Sequence, residues 1–331
     1  MKEFLDYDMK YPDLVVRMLE FFKTNHGNNP KKTVADFCEW YKVPEGESLI
    51  QPHIVGQMCE RLWNKSILYC VHKGAGLHLN DIYCSLGINQ EVFDKYPEIT
   101  RHHFNSIVYG FEYIYEHYKK RTLPVIVKTE QNDDAMGSCF RIYDGIATAK
   151  HCLTDGKMVS IRGYSKEQLS KRKVYVSKDE NIDLAFIRTG EGYIYNKAEP
   201  RVLNDVLVMG YPKVTWFIDF CTGEKANISA MSDLRFTPTR GSIAAIGEIY
   251  SPRNHPKMLL VTAKISGGNS GGPVINDEGY VVGISTNISG GQGGADDHVG
   301  YGIAYPIQAL DDMINEGNEI KVDFMDFPYY D

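Results

Sequence analysis

The chain has 331 residues, 43% of them hydrophobic, and a formal net charge of −7. That length and composition fit a globular chain of about two domains, and the negative balance speaks against a general polyanion binder. No apolar run approaches the roughly 18 residues of a membrane span, and the opening MKEFLDYDMKYPD lacks the hydrophobic region of a signal peptide.

Up to about Tyr118 the pattern is helical. PDLVVRMLEFFKTN sets Leu14, Met18, Leu19 and Phe22 on one face, and KTVADFCEWYKV does the same with Val34, Phe37, Cys38 and Tyr41. PHIVGQMCERLWNK opens with Pro52 near a helix start and turns Ile54, Val55, Met58, Cys59 and Leu62 inward. SILYCVHKGAGLHL then predicts a short hairpin turning at Lys73–Gly76. Three helices and a hairpin resemble a winged helix-turn-helix domain, assigned here to residues 1–88. In such domains the third helix enters the DNA major groove. The exposed positions of this one (Gln57, Glu60, Arg61, Lys65) are mixed in charge, so a protein-contact or sensing module is favoured over a DNA reader. Residues 89–121 are read as a connecting amphipathic helix, with Phe104, Ile107, Val108, Phe111, Ile114, Tyr115 and Tyr118 at steps of three and four. His102 and His103 are neighbours that point in different directions along a helix, and are read as ordinary surface or packing residues.

From residue 122 to 331 the texture is β-rich. PVIVKTE, KMVSIRG, KVYVS, IDLAFIR, DVLVMGYP, MLLVTAKI and YVVGIST alternate with turn residues, and one late helix is expected over IQALDDMINE. Many short strands without intervening helices predict an all-β sandwich or barrel. The seven cysteines (Cys38, Cys59, Cys70, Cys84, Cys139, Cys152, Cys221) are odd in number and contain no Cys-x-x-Cys pair, so no structural zinc site is expected. Free thiols in a reducing cytoplasm are the simplest expectation.

The β half holds the residues that suggest chemistry. SGGNSGGPVIN (Ser266–Asn276) surrounds Ser270 with glycine. Gly268 has the backbone freedom to turn its N–H toward a substrate oxygen, and with the N–H of Ser270 it would form an oxyanion hole. A nucleophile needs a base, and GIATAKHCL supplies His151 after an apolar strand; NIDLAFIR places Asp183 at the head of another. The three motifs GIATAKHC, DLAFI and GNSGGPV resemble the histidine, aspartate and serine motifs of the trypsin/chymotrypsin superfamily. VLVMGYP, GYGIAYPI and Asn269 are similar to its HtrA/Deg branch, over about Leu123–Ile314, with no PDZ-like segment following.

The resemblance implies two β-barrels with an active site in the cleft between them. It makes Ser270 the nucleophile of a serine endopeptidase, His151 the general base and Asp183 its orienter. No metal or cofactor is required. Cys152 follows the histidine, where secreted relatives often carry a disulfide; Cys139 and Cys152 are read instead as reduced core thiols. Asn269 replaces the aspartate that pairs with a new N-terminus in zymogen-type trypsins, so control is expected through the N-terminal domain or a protein partner. The resemblance also puts Lys264 at the base of the primary specificity pocket, with Ser285 in the same pocket. Lys264 would favour an acidic residue before the scissile bond, while Asp296 and Asp297 are rival determinants. Two other functions compete: a catalytically silent peptide-binding scaffold, and a DNA-binding regulator coupled to a protease.

Overall fold

The structure, a computed structural model, describes residues 10–24, 32–41, 50–193, 197–212, 235–248, 257–286 and 301–328. The chain divides into two compact units, Met1–Ile114 and Tyr115–Asp331.

The described part of the first unit holds the three expected helices: α1 (Leu14–Phe21), α2 (Val34–Trp40) and α3 (Pro52–Asn64). Thr33 starts α2 with a reciprocal cap, its hydroxyl accepting Asp36 N–H at 3.1 Å while the Asp36 carboxylate accepts Thr33 N–H at 2.8 Å. The apolar faces meet in one core around Leu14, Phe22, Phe37, Met58 and Leu62. Strands β1 (Leu68–His72) and β2 (Ile82–Ser85) form the antiparallel hairpin.

Its turn is longer than the expected Lys73–Gly76, because the connection wraps a buried carboxylate. Asp81 Oδ1 accepts Gly74 N–H at 2.8 Å, and Oδ2 lies 2.8 Å from His78 Nδ1 and 3.3 Å from Lys73 Nζ.

The single helix expected over residues 89–121 is three: α4 (Gln90–Lys95), α5 (Pro97–Tyr109) and α6 (Phe111–Lys119). Gly110, at φ 73 and ψ −155, breaks it by adopting angles that favour glycine. Phe104, Ile107, Val108 and Tyr109 pack into the first core, so α5 is part of that unit and not a free connector. The second unit in turn reaches back before residue 122, since the buried Tyr118 of α6 donates its hydroxyl to Gly279 O at 3.0 Å.

The second unit contains two antiparallel β systems. The first runs β3 (Thr122–Lys128), β4 (Asp134–Thr148), β5 (Met158–Ile161), β6 (Lys173–Val176) and β7 (Ala185–Tyr193). Short helices α7 (His151–Thr154) and α8 (Lys166–Ser170) interrupt it. The second comprises β8 (Asp205–Gly210), β9 (Thr237–Glu248), β10 (Lys257–Val261), β11 (Pro273–Asn276), β12 (Val281–Thr286) and β13 (Gly302–Pro306). Helix α9 (Ile307–Glu316) and strand β14 (Glu319–Ile320) follow.

The second system is a closed barrel, ordered β10-β13-β12-β11-β8-β9. The first is a six-stranded sheet, β14-β6-β7-β4-β3-β5, where a second closed barrel was expected. Its two edges are bridged by one segment: β14 pairs with β6, and Phe324 then bridges to Val159 of β5. Val159 N–H donates to Asp323 O at 2.9 Å, and Met325 N–H to Val159 O at 2.8 Å. Phe324 is buried in the core of this sheet with Val125, Ile146 and Ile187. Closure thus comes from the end of the chain, which local strand patterning does not reveal.

Candidate active site

His151 opens α7, immediately after β4, and Asp183 sits just ahead of β7. Pairing of β4 with β7, including Thr148 opposite Ala185, brings the two loops together. His151 Nδ1 then lies 2.6 Å from Asp183 Oδ2, and His151 N–H donates to Asp183 Oδ1 at 2.8 Å. Thr286, at the end of β12, donates to Asp183 Oδ2 at 2.5 Å. Tyr305 reaches the same turn from β13: its hydroxyl donates to Asn181 O at 2.6 Å and accepts Asp183 N–H at 3.2 Å. The aspartate is therefore fixed from helix α7 and from strands β12 and β13.

Electrostatics follow from that clasp. Burial alone would lower the His151 pKa, but the hydrogen bond to Asp183, with Cys152 adding, raises it above the ordinary histidine value. Burial would raise Asp183; hydrogen bonds from the His151 ring, Thr286 and the His151 amide outweigh it and hold the carboxyl below its ordinary value.

Ser270 is 3% exposed and lies in the loop between β10 and β11. Its carbonyl accepts Ser138 N–H of β4 at 2.8 Å and faces Cys152 Sγ at 3.6 Å, so the serine loop is seated against the strand and helix that carry His151. Gly271 has φ 85, and a Cβ on it would lie 2.1 Å from Ser138 O, which is why glycine follows the serine. No hydrogen bond joins Ser270 Oγ to His151 Nε2 among the described residues; in unliganded sites such contacts often tighten only with substrate.

Gly268 has φ 99. Among the described residues its N–H and that of Ser270 have no acceptor, whereas Asn269, Gly271 and Gly272 all donate theirs within the chain. Two amides, one on each side of Asn269, are thus left for a ligand oxygen.

The expected pocket residues are placed differently. Ser285 is fully buried, and its hydroxyl is given to Asn269 O at 2.6 Å and Gly272 O at 3.0 Å. It braces the serine loop instead of lining a pocket. Lys264 is exposed, and its carbonyl accepts the Thr239 hydroxyl at 2.8 Å. A solvated ammonium gains little from a carboxylate, so Lys264 lacks the desolvated setting an acidic preference requires. Asp296, Asp297 and Cys221 lie outside the described residues.

Asn269 is 1% exposed, with Oδ1 unpaired among the described residues. The six described cysteines, Cys139 and Cys152 among them, are free thiols. His102 is buried and packs against Tyr113 with ring centres 5.6 Å apart and the planes tilted, and no metal-holding group of side chains is found among the described residues. A cavity of about 610 Å³ lined by Ile182, Pro306, Gln308 and Met313 among others includes none of His151, Asp183 and Ser270. Sequence reasoning missed Ser138, Thr286 and Tyr305. The only local signal was the polar pair Ser285–Thr286 closing the apolar run YVVGI.

Residues 137–284, which include all three candidate residues, match the family described as "Trypsin-like peptidase domain". Two curated proteins are similar, both described as "Probable periplasmic serine endoprotease DegP-like". The one from Hahella chejuensis is 26% identical over 226 residues, covering 67% of this chain and 40% of the relative. The one from Chlamydia muridarum is 41% identical over 209 residues, covering 57% and 36%. The chain spans about two fifths of the length of these relatives. Among solved structures, the active form of a protease from M. tuberculosis aligns with a TM-score of 0.46 and 18% identity, covering 63% of this chain and 86% of that one. Over the matched residues the chain is similar to trypsin-like peptidases and to serine endoproteases described as DegP-like.

Proposed function

We propose that the chain is a serine endopeptidase acting through His151, Asp183 and Ser270. Ser270 Oγ attacks the scissile carbonyl carbon as His151 Nε2 takes its proton, and the C–N bond then breaks as that proton passes to the leaving amine. Water, deprotonated by the same imidazole, hydrolyses the resulting ester. Asp183 holds Nδ1–H and favours the imidazolium formed in each step. The amides of Gly268 and Ser270 receive the oxyanion.

The observation that carries this reading is the 2.6 Å Asp183–His151 pair, in the same unit as a serine loop with two unaccepted amides. A fluorophosphonate probe and a peptide-hydrolysis assay test it: labelling and hydrolysis should both vanish in Ser270→Ala. A Ser270→Ala protein cleaving the same bonds at the wild-type rate would place the nucleophile elsewhere. The absent Ser270–His151 hydrogen bond favours a second reading, a silent peptide-binding scaffold, which predicts peptide binding without labelling.

The first unit is read as a sensor or protein-contact module of winged-helix type; its helix-helix-helix-hairpin order supports this. A truncation beginning at Phe111, which keeps Tyr118, is expected to change basal activity. Identical rates and substrate response to those of the full chain would remove the regulatory role. Salt-sensitive retention on DNA would favour a DNA-binding regulator instead. A reducing, cytoplasmic setting is proposed from the free core thiols; alkylation of all seven cysteines in protein isolated under non-reducing conditions tests it.

A further inference from the structure

The serine loop satisfies its polar groups in an asymmetric way. Its inward-facing carbonyls are all engaged: Gly268 O by the Ser138 hydroxyl at 2.7 Å, and Asn269 O by the Ser285 hydroxyl at 2.6 Å and Gly272 N–H at 2.9 Å. Ser270 O takes Ser138 N–H at 2.8 Å, and Gly272 O takes Ser285 N–H at 2.8 Å. In a trans peptide the N–H points opposite to the C=O of the same plane, and the described chain has no cis bonds. Holding Asn269 O inward therefore turns Ser270 N–H outward. Holding Gly268 O inward turns Asn269 N–H toward Ser266 O, where it bonds at 2.9 Å and closes the turn that leaves Gly268 N–H exposed to a ligand.

The protons of the two hydroxyls are assigned by their neighbours. Ser138 Oγ lies 2.8 Å from Tyr211 N, which can only donate, so the Ser138 proton must go to Gly268 O. Ser285 Oγ faces only carbonyls, and its one proton is directed chiefly at the nearer, Asn269 O. Both side chains are fully buried, so water does not compete for either bond.

We propose that Ser285 and Ser138 are positioning residues for the oxyanion site: their hydroxyls clamp the carbonyls of Asn269 and Gly268 and thereby aim the Ser270 and Gly268 amides at the substrate oxygen. This rests on the serine endopeptidase reading. Neither residue touches substrate; each acts through a peptide plane. Ser285 has the larger effect, because it holds the plane that carries the Ser270 donor.

The test is kinetic, on the full chain, with rates expressed per active site titrated by a fluorophosphonate. Ser285→Ala should lower kcat about 10- to 100-fold, the scale of a misaimed oxyanion donor, with KM little changed. Affinity for a peptide aldehyde, whose hemiacetal oxygen occupies the oxyanion site, should fall by the same factor. The acid limb of the pH profile should not move, since His151 and Asp183 are untouched. Ser138→Ala should show the same signature at smaller size, and Ser285→Cys, a weaker donor of similar volume, should fall between wild type and Ser285→Ala. A lower melting temperature or titratable fraction with unchanged kcat per titrated site in Ser285→Ala and Ser285→Cys would overturn the proposal, reducing both hydroxyls to packing groups. If Ser285→Ala does not fold, Ser285→Cys and Ser138→Ala carry the same comparison. Activity surviving in Ser270→Ala would instead defeat the endopeptidase reading itself.

Discussion

Among the described residues are two Asp–His pairs of nearly the same geometry, one in each unit. Asp81 accepts a backbone amide on Oδ1 at 2.8 Å and meets His78 Nδ1 with Oδ2 at 2.8 Å. Asp183 accepts a backbone amide on Oδ1 at 2.8 Å and meets His151 Nδ1 with Oδ2 at 2.6 Å. Both carboxyls would be raised by burial, and in both the hydrogen bonds outweigh it and lower the pKa.

The pairs differ in what else surrounds the carboxylate. Asp81 also faces Lys73 at 3.3 Å, a cation it shares with Glu60, and ties up a Gly-rich turn by consuming its amide. Asp183 has no lysine or arginine partner among the described salt bridges, so the imidazole answers its charge. The Gly-rich loop near it is braced by hydroxyls that consume carbonyls and leave amides free. An Asp–His bond is thus not a catalytic signature by itself. The permanent cation and the choice of which backbone groups are consumed decide whether it builds a turn or a reaction site.

The largest expected effect comes from removing the charge of the second pair. Asp183→Asn should reduce kcat about 10⁴-fold by favouring the wrong imidazole tautomer, measured with a chromogenic peptide. The pH profile sharpens the point. Because Asp183 raises the His151 pKa, the neutral base is lost as pH falls through a value above the ordinary histidine 6.5. Wild-type activity should therefore show its acid limb above that pH. In Asp183→Asn the limb should move to lower pH; a limb that stays in place would break the assignment.

Converting the serine loop toward the chemistry of the turn is the next test. Asn269→Asp would bury a carboxylate at a 1% exposed position with no described cation beside it. The expected destabilisation is about 3–5 kcal/mol at neutral pH, read by denaturant unfolding, and smaller in acid, where the carboxyl is protonated. Equal stability of the two proteins at pH 7 would mean that a cation or donor does reach this site.

The smallest effect belongs to the first pair. Asp81→Asn weakens the buried acceptor shared by Gly74 N–H, His78 and Lys73, while Lys73 keeps its pair with Glu60, and should cost about 1–3 kcal/mol of stability with kcat per titrated site unchanged. The sign with pH is fixed: the Asp81 carboxyl is held below its ordinary value, so its contribution is present above that value and lost as pH falls through the lowered pKa. A catalytic defect in Asp81→Asn, with the first unit still folded, would show that the two pairs are not separate in function.

The periodicity of Leu14, Met18, Leu19 and Phe22 is enough to specify α1, because burial of one face repeats at the helical period, and the short apolar run before Ser285 specifies β12 as a strand buried along its whole length. Gly110 as a helix break was present in the sequence, but the flanking aromatic spacing continued through it and hid it. The residue types His151, Asp183 and Ser270 were likewise legible, each in a short motif whose glycine and apolar neighbours are local facts.

What the sequence determined by itself was therefore the helical or β character of each half, several of their elements, and the chemical identity of the candidate site. Tertiary structure alone decided what each polar group meets. Ser138 finds Gly268 across 130 positions, Thr286 finds Asp183 across 103, and Tyr305 finds Asn181 across 124. Such bonds are fixed by strand register and barrel closure, where a one-residue slip reverses every side chain. The same reason made Ser285 a brace for the serine loop and left Lys264 in solvent, and it made the end of the chain, through Phe324, the piece that joins the two edges of the first sheet.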